Sequence, residues 1–294
     1  FIETLTKLAF KNPKFALVVG DLGYGVVEPF AESFPDRFFN SGVAEQNMMG
    51  FSAGLASEGH HVYVYSIANF PIFRCAEQIR NDVCYHNLDV TIVSVGGGLS
   101  YGNLGYSHHA IQDYAFMRTL PNMKILSPGD PTEVKKCLEY LDKKPCPSYL
   151  RLGKTGEKHY SKISEKLDLA SLNSIRKDEK ANKAIISTGA ALQDVMNIRE
   201  LDGLSLDIFS CPIWGINLKI DDALLEGYER VIIVEDHLKD AGFGSWILEN
   251  TDKLMRDKFD LIGLEPSVAG MVGSQSWLNS NGGISPEDIL KSCL

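Results

Sequence analysis

NSGVAEQNMMGFSAGLASEG, residues 40–59, sets one carboxylate, Glu45, at the head of a run of small and apolar residues. Gly50, Ala53, Gly54 and Ser57 recur at spacings of three and four, which a helix gathers on one face. Glycine inside a helix costs roughly 1 kcal/mol relative to alanine, so close packing must offset it. The helix is therefore expected to lie against a second helix or another subunit. An acid in a first helical turn is ordinarily a partner for the helix dipole. Nothing in this stretch alone demands more of Glu45.

The surroundings of the stretch are α/β in character. Apolar runs rich in β-branched and aromatic residues (FALVVGD, HVYVYSI, DVTIVSVGG, MKILSPG, PSYLRLG) alternate with helical patterns at 45–59, 73–86, 111–120 and 131–141. Continuous apolar strands separated by helices predict a mostly parallel sheet covered on both faces. Asp130 is the expected N-cap of the last of these helices, with Pro131 at its first position. Residues 154–182 are polar and charge-mixed with no sustained apolar period, and read as a linker. A second α/β pattern follows, with strands KAIISTG, LSLDIFS, RVIIVED and FDLIGLEP and a last helix near SPEDILKSCL. The expected organisation is two α/β domains, 1–153 and 183–294, each a mostly parallel sheet with helices on both faces.

The formal net charge of −9 and the lack of a basic run argue against nucleic acid and anionic membranes as partners. No apolar run approaches the roughly 18 residues of a membrane-spanning helix. No secretory signal pattern opens the chain, which begins at Phe1 rather than Met, so residues are expected to precede it. The six cysteines form no Cys-x-x-Cys or Cys/His cluster and read as reduced thiols of a cytoplasmic protein.

FFNSGVAEQNMMGFSAGLASEG, FPIFRCAEQIRNDVCYHNLDVTIVS, GYSHHAIQDYAFMRTLPNMKILSPGDPTEV and YLRLGK occur in this order. Together they resemble the C-terminal half of transketolase, most closely the split transketolases made as two polypeptides. The resemblance covers nearly the whole chain, as a pyrimidine-binding domain followed by the transketolase C-terminal domain. It implies transfer of a two-carbon ketol unit between sugar phosphates with thiamine diphosphate as cofactor. Glu45, in Gly-x-x-Glu-Gln, then bonds to a ring nitrogen of the aminopyrimidine and favours its imino tautomer. Ile67, Phe70 and Phe73 fall on three family positions that are aromatic and hold the pyrimidine ring, with Phe70 stacking on it. Ser107 and His108 stand for the family's Thr-His, and His108 touches donor oxygens and relays protons. Arg151 stands where the family grips the substrate phosphate. Asp21 and Leu22 fall near the cofactor and the subunit interface. Without the family, the same residues read as a first-turn acid, a core Phe pair, a loop His pair and a surface-paired Arg.

The family's metal-holding Gly-Asp-Gly motif is missing from the sequence. The resemblance thus implies a second polypeptide that holds the diphosphate and a Mg or Ca ion, with two copies of each subunit. The sequence also departs from the family around the substrate. Gly96 replaces a phosphate-contacting His, Leu104 replaces the Asp that reads donor hydroxyls, and Gly25 falls near a phosphate-contacting Ser. An apolar Leu104 cannot bond a sugar hydroxyl. Two other readings share the fold: the β subunit of a 2-oxoacid dehydrogenase, and a non-catalytic scaffold subunit. A 1-deoxyxylulose phosphate synthase is disfavoured because that enzyme is usually one long chain. The departures predict that xylulose 5-phosphate and ribose 5-phosphate are poor substrates of the assembled enzyme. A steady-state assay giving ordinary transketolase efficiency with that pair would overturn this.

Overall fold

The computed structural model describes residues 1–161, 167–199 and 201–294. Its strands are β1 (Phe15–Val19), β2 (Phe38–Asn40), β3 (His61–Ile67), β4 (Val90–Val95), β5 (Lys124–Leu126), β6 (Ser148–Leu152), β7 (Asn173–Arg176), β8 (Lys183–Ser187), β9 (Leu206–Ser210), β10 (Ile213–Trp214), β11 (Arg230–Leu238) and β12 (Phe259–Leu264). They form a seven-stranded sheet, β10-β5-β6-β4-β3-β1-β2, and a five-stranded sheet, β12-β11-β8-β9-β7. All neighbours in the first run parallel except β5 and β10, and all in the second except β7 and β9.

The expected α/β architecture is what the chain adopts. β1, β6 and β9 are buried along their whole length, as strands covered on both faces must be. On one face of the first sheet, Leu5 and Ala9 of the helix Ile2–Lys11 and Leu138 and Leu141 of the helix Pro131–Lys143 pack with Leu17 and Tyr63. On the other, Met48, Met49 and Ala53 of the helix Glu45–Ser57 pack with Val18, Val62 and Val64. Asp130 caps Pro131–Lys143 as expected, its Oδ1 accepting from Glu133 N at 2.8 Å.

Three features depart from the sequence reading. The helix expected at 73–86 is broken into Phe70–Phe73, Ala76–Gln78 and a wide π-type turn, Ile79–Cys84. Cys75, at φ −110°, interrupts it. Within the segment read as a linker, Asn173–Arg176 forms β7 and pairs with β9, while Leu167 and Ala170 are buried. A short, half-exposed edge strand has no apolar period to betray it. Residues 162–166 of that segment lie outside the described residues. The third departure is β10, two residues from the second half of the chain that complete the first sheet against β5.

β10 ties the two halves together. Trp214 is fully buried, with its Nε1 donating to Thr188 Oγ1 at 3.0 Å. Its ring lies 5.1 Å from that of Tyr114, 5.2 Å from Phe243 and 5.4 Å from Trp246. Trp246 in turn donates to Gly215 O at 2.8 Å. Among the described residues no helix is long and apolar enough to cross a membrane. Truncating Trp214 removes the centre of this cluster and leaves Thr188 without its donor. Trp214→Ala is expected to lower unfolding stability by about 3–5 kcal/mol in urea titration. A loss below about 1 kcal/mol would show that the cluster does not brace the halves.

Candidate active site

The site assembles at the carboxyl ends of the parallel strands, where open α/β sheets present their ligand crevices. β2 ends at Asn40, whose Oδ1 accepts from Asp21 N at 3.0 Å and Gly42 N at 3.0 Å. Asp21 closes the bracket, its Oδ1 accepting from Asn40 Nδ2 at 3.1 Å and Tyr24 OH at 2.8 Å. Those two hydrogen bonds hold its carboxyl below the ordinary range. Gly42, at φ +69°, turns the chain in a conformation that glycine adopts without strain. The turn delivers Glu45 to the first position of its helix. The carboxylate is only 6% exposed and accepts from Arg74 Nη1 at 2.6 Å.

Phe70 enters from the end of β3. Its ring is capped by the Arg74 guanidinium, 4.3 Å from the ring centre, and met by the His108 ring at 5.3 Å and 70°. Asn69 anchors the loop that carries His108, donating to Ser107 O at 3.1 Å and His109 O at 2.8 Å. The result is a cleft of about 490 Å³ lined by Asn69, Phe70, Phe73, Arg74, Tyr106 and Ser107, among others. Phe73 is 47% exposed at its rim. A second concavity of about 500 Å³ lies on the Glu45 side, bounded by 43–47 and again by Arg74. Glu45, Phe70, Phe73 and His108 are therefore brought together.

The other residues singled out in the sequence lie elsewhere. Ile67 ends β3, half-buried and paired with Val95, and Leu22 packs on the apolar cluster around Leu17 and Val27; neither lines the Phe70 cleft. Leu104 is 53% exposed on the turn Gly102–Leu104, just before the His108 turn. Asp21 acts here through Asn40, as the bracket behind the Glu45 turn. His109 is buried, and that burial lowers its pKa.

Arg151 requires a correction. It was expected to offer its fork to a substrate phosphate, but it is 2% exposed and every donor is engaged internally. Nε donates to Asp113 Oδ2 at 2.6 Å, Nη1 to Asp236 Oδ1 at 2.6 Å and Tyr114 OH at 3.0 Å, and Nη2 to Ala110 O at 2.9 Å and Asp236 O at 3.2 Å. A guanidinium has five N–H groups, so none remains for an anion.

Arg74, Asn69 and Tyr101 were missed by sequence reading. Arg74 had a signal, since it follows Phe70 by four residues on one short helical stretch. Tyr101 had none. A Cβ at Gly96, where φ is +82°, would run into the Tyr101 ring, so that ring stands where the family's histidine side chain is expected. Among the described residues, no group of three or more His, Cys, Asp or Glu side chains is placed to hold a metal.

Comparison with known proteins identifies the family. A profile of the transketolase pyrimidine-binding domain matches residues 1–156. A component of the apulose-4-phosphate transketolase of Phocaeicola vulgatus, described as one of that enzyme's subunits, is 32% identical over 85% of this chain and 81% of its own length. A Methanocaldococcus jannaschii protein, provisionally described as a transketolase C-terminal section, is 32% identical over 98% of this chain and 92% of its own length. The 1-deoxy-D-xylulose-5-phosphate synthase of Clostridium perfringens is 29% identical, and the match spans 86% of this chain but only 42% of the synthase. A solved structure described as a split gene transketolase, inactive beta4 tetramer, superposes with a TM-score of 0.80 and 26% identity, covering 99% of this chain and 94% of that one. Campylobacter jejuni transketolase shares the fold, with a TM-score of 0.76 at 17% identity, covering 98% of this chain and 44% of its own. This chain belongs to the transketolase family, and residues 1–156 are its pyrimidine-binding domain.

Proposed function

We propose that this chain is the C-terminal subunit of a thiamine diphosphate-dependent, transketolase-like transferase that works with a second polypeptide. The observation that carries the reading is the buried Glu45 carboxylate, bridged by Arg74 to the half-buried Phe70 ring, with Phe73 exposed at the rim of the same cleft. An acid at the edge of a flat aromatic wall suits a planar heterocycle with a ring nitrogen to protonate. A further hydrogen-bonding group borders the cleft: Asn69 Oδ1 is buried without a partner. The residues present therefore fit the aminopyrimidine.

When bound, thiamine diphosphate supplies the electron sink that lets a ketose carbon–carbon bond break. This chain supplies position and proton control. Glu45 holds or shares a proton at its carboxylate, which is only 6% exposed. Phe70 and Phe73 give the ring a stacking wall. His108 Nδ1 lies 3.0 Å from Ser107 Oγ, which fixes the ring's orientation and leaves Nε2 to serve substrate oxygens. The loop between Gly96 and His108 carries Tyr101 and Leu104 in place of phosphate- and hydroxyl-reading residues. That supports a sugar phosphate substrate other than the usual pentose pair, as does kinship with a protein named for apulose 4-phosphate.

The partner reading is supported by two relatives of nearly this length, one described as a subunit and the other as a C-terminal section. The surface of the Glu45 helix supports it too. Ala53 packs into the core, but nothing lies within 4 Å of where a Cβ would stand at Gly50 or Gly54. The small-residue face is therefore open to another chain. The partner would hold the diphosphate and its metal ion, in an assembly of two copies of each subunit in the cytoplasm. Glu45→Gln keeps the shape of the side chain and removes its proton chemistry. In the reconstituted complex it is expected to cut turnover by about 100-fold or more with assembly intact. Unchanged turnover would favour a non-catalytic scaffold role instead.

A further inference from the structure

Arg74 makes two contacts at once. Its Nη1 donates to Glu45 Oε1 at 2.6 Å, and its guanidinium lies over Phe70 with Cζ 4.3 Å from the ring centre. These are the two kinds of contact that the proposed function assigns to the aminopyrimidine: a hydrogen bond at Glu45 and a stack on Phe70. The chemical likeness is close. A guanidinium and an aminopyrimidine are both planar, both stack on aromatic faces, and both offer N–H groups in the plane to a carboxylate. While Arg74 stays in place, Glu45 Oε1 and the Phe70 face beneath the guanidinium are both taken, and a ring that uses those same two surfaces must displace it.

We propose that Arg74 is an internal placeholder for the cofactor's pyrimidine ring, and that it swings out to solvent for that ring to seat. The inference rests on the cofactor reading of Glu45 and Phe70. Arg74 borders both concavities, one walled by Phe70 and Phe73 and the other by 43–47 with Glu45, so its side chain is the partition between them. Its side chain is 50% exposed while that of Glu45 is 6% exposed, so the arginine is the partner free to leave. Among the described residues, its only side-chain hydrogen bond is the one to Glu45. Outward rotation breaks that bond and the contact with Phe70, and disturbs no backbone.

The arrangement has a physical use. A buried carboxylate without a partner is costly, and Arg74 neutralises Glu45 until a ligand takes over its contacts. The same arrangement taxes binding: a ligand's apparent affinity falls by the fraction of chains in which the slot is open. Tyr101 and His108 have no such claim on Glu45, so relief of the tax is specific to position 74.

The test uses the reconstituted complex and a neutral probe, 4-amino-5-hydroxymethyl-2-methylpyrimidine, titrated at pH 8 and followed by ligand-observed NMR. The probe lacks the thiazolium and diphosphate charges, so removing a cation does not by itself change its attraction. Arg74→Ala is expected to bind it at least about fivefold more tightly than the unmodified chain, and Glu45→Gln to lose it. Arg74→Gln, which keeps part of the stem, serves if the alanine variant does not fold. Equal or weaker binding by the Arg74 variants, with loss in Glu45→Gln, would overturn the placeholder and leave the cofactor reading standing. Binding that is absent throughout, or indifferent to Glu45→Gln, would overturn the cofactor reading and the placeholder with it.

Discussion

The Arg151 guanidinium joins three parts of the protein. From β6 it reaches Asp113 at the start of a short helix, Ala110 O at the end of the His108 loop, and both the side chain and backbone of Asp236 in β11. Burial of a charge opposes this, but Asp113 and Asp236 outweigh burial and raise its pKa further above the ordinary arginine value. Removing one member of such a network leaves an uncompensated buried charge, at a cost of about 3–5 kcal/mol. Gly98 is part of the same contact. A Cβ there would strike Asp236 Oδ2, and Gly98 exchanges two backbone hydrogen bonds with Ala110.

The second half of the chain therefore acts on the site without lining it. Leu238 N donates to Ile111 O at 3.1 Å, and β10 closes the edge of the first sheet. The Leu238 bond and the Arg151 network pin the end of the segment from Gly96 to Asp113. That segment carries Tyr101, Leu104, Ser107 and His108, and it is where the sequence departs from its family. Backbone position is set from behind by charge and hydrogen bonds, so side chains at the front are free to differ. A change of substrate can then come from loop residues while Glu45 and Phe70 keep their places.

Much of this was legible in the sequence. Apolar runs located nine of the twelve strands among the described residues, because parallel strands buried on both faces are largely apolar. The three that escaped, β2, β7 and β10, are two to four residues long and lie at sheet edges, where no period can build. Glu45, Phe70, Phe73 and His108 were legible through the family resemblance alone; by local pattern each had an ordinary structural reading. Arg151 misled because a fork suited to phosphate suits two aspartates equally well, and Asp236 lies 85 residues away. Tyr101 was invisible, since only the three-dimensional path of the loop lays its ring over Gly96.

The central claim is that Glu45 serves the pyrimidine ring of thiamine diphosphate at a junction with another polypeptide. A crystal or cryo-EM structure of the assembled complex with the cofactor measures this directly. The account predicts a ring nitrogen at hydrogen-bond distance, about 3 Å, from a Glu45 carboxylate oxygen, with the ring against Phe70 and the diphosphate on the other chain. A cofactor ring seated away from Glu45, or a diphosphate held by this chain, would contradict it.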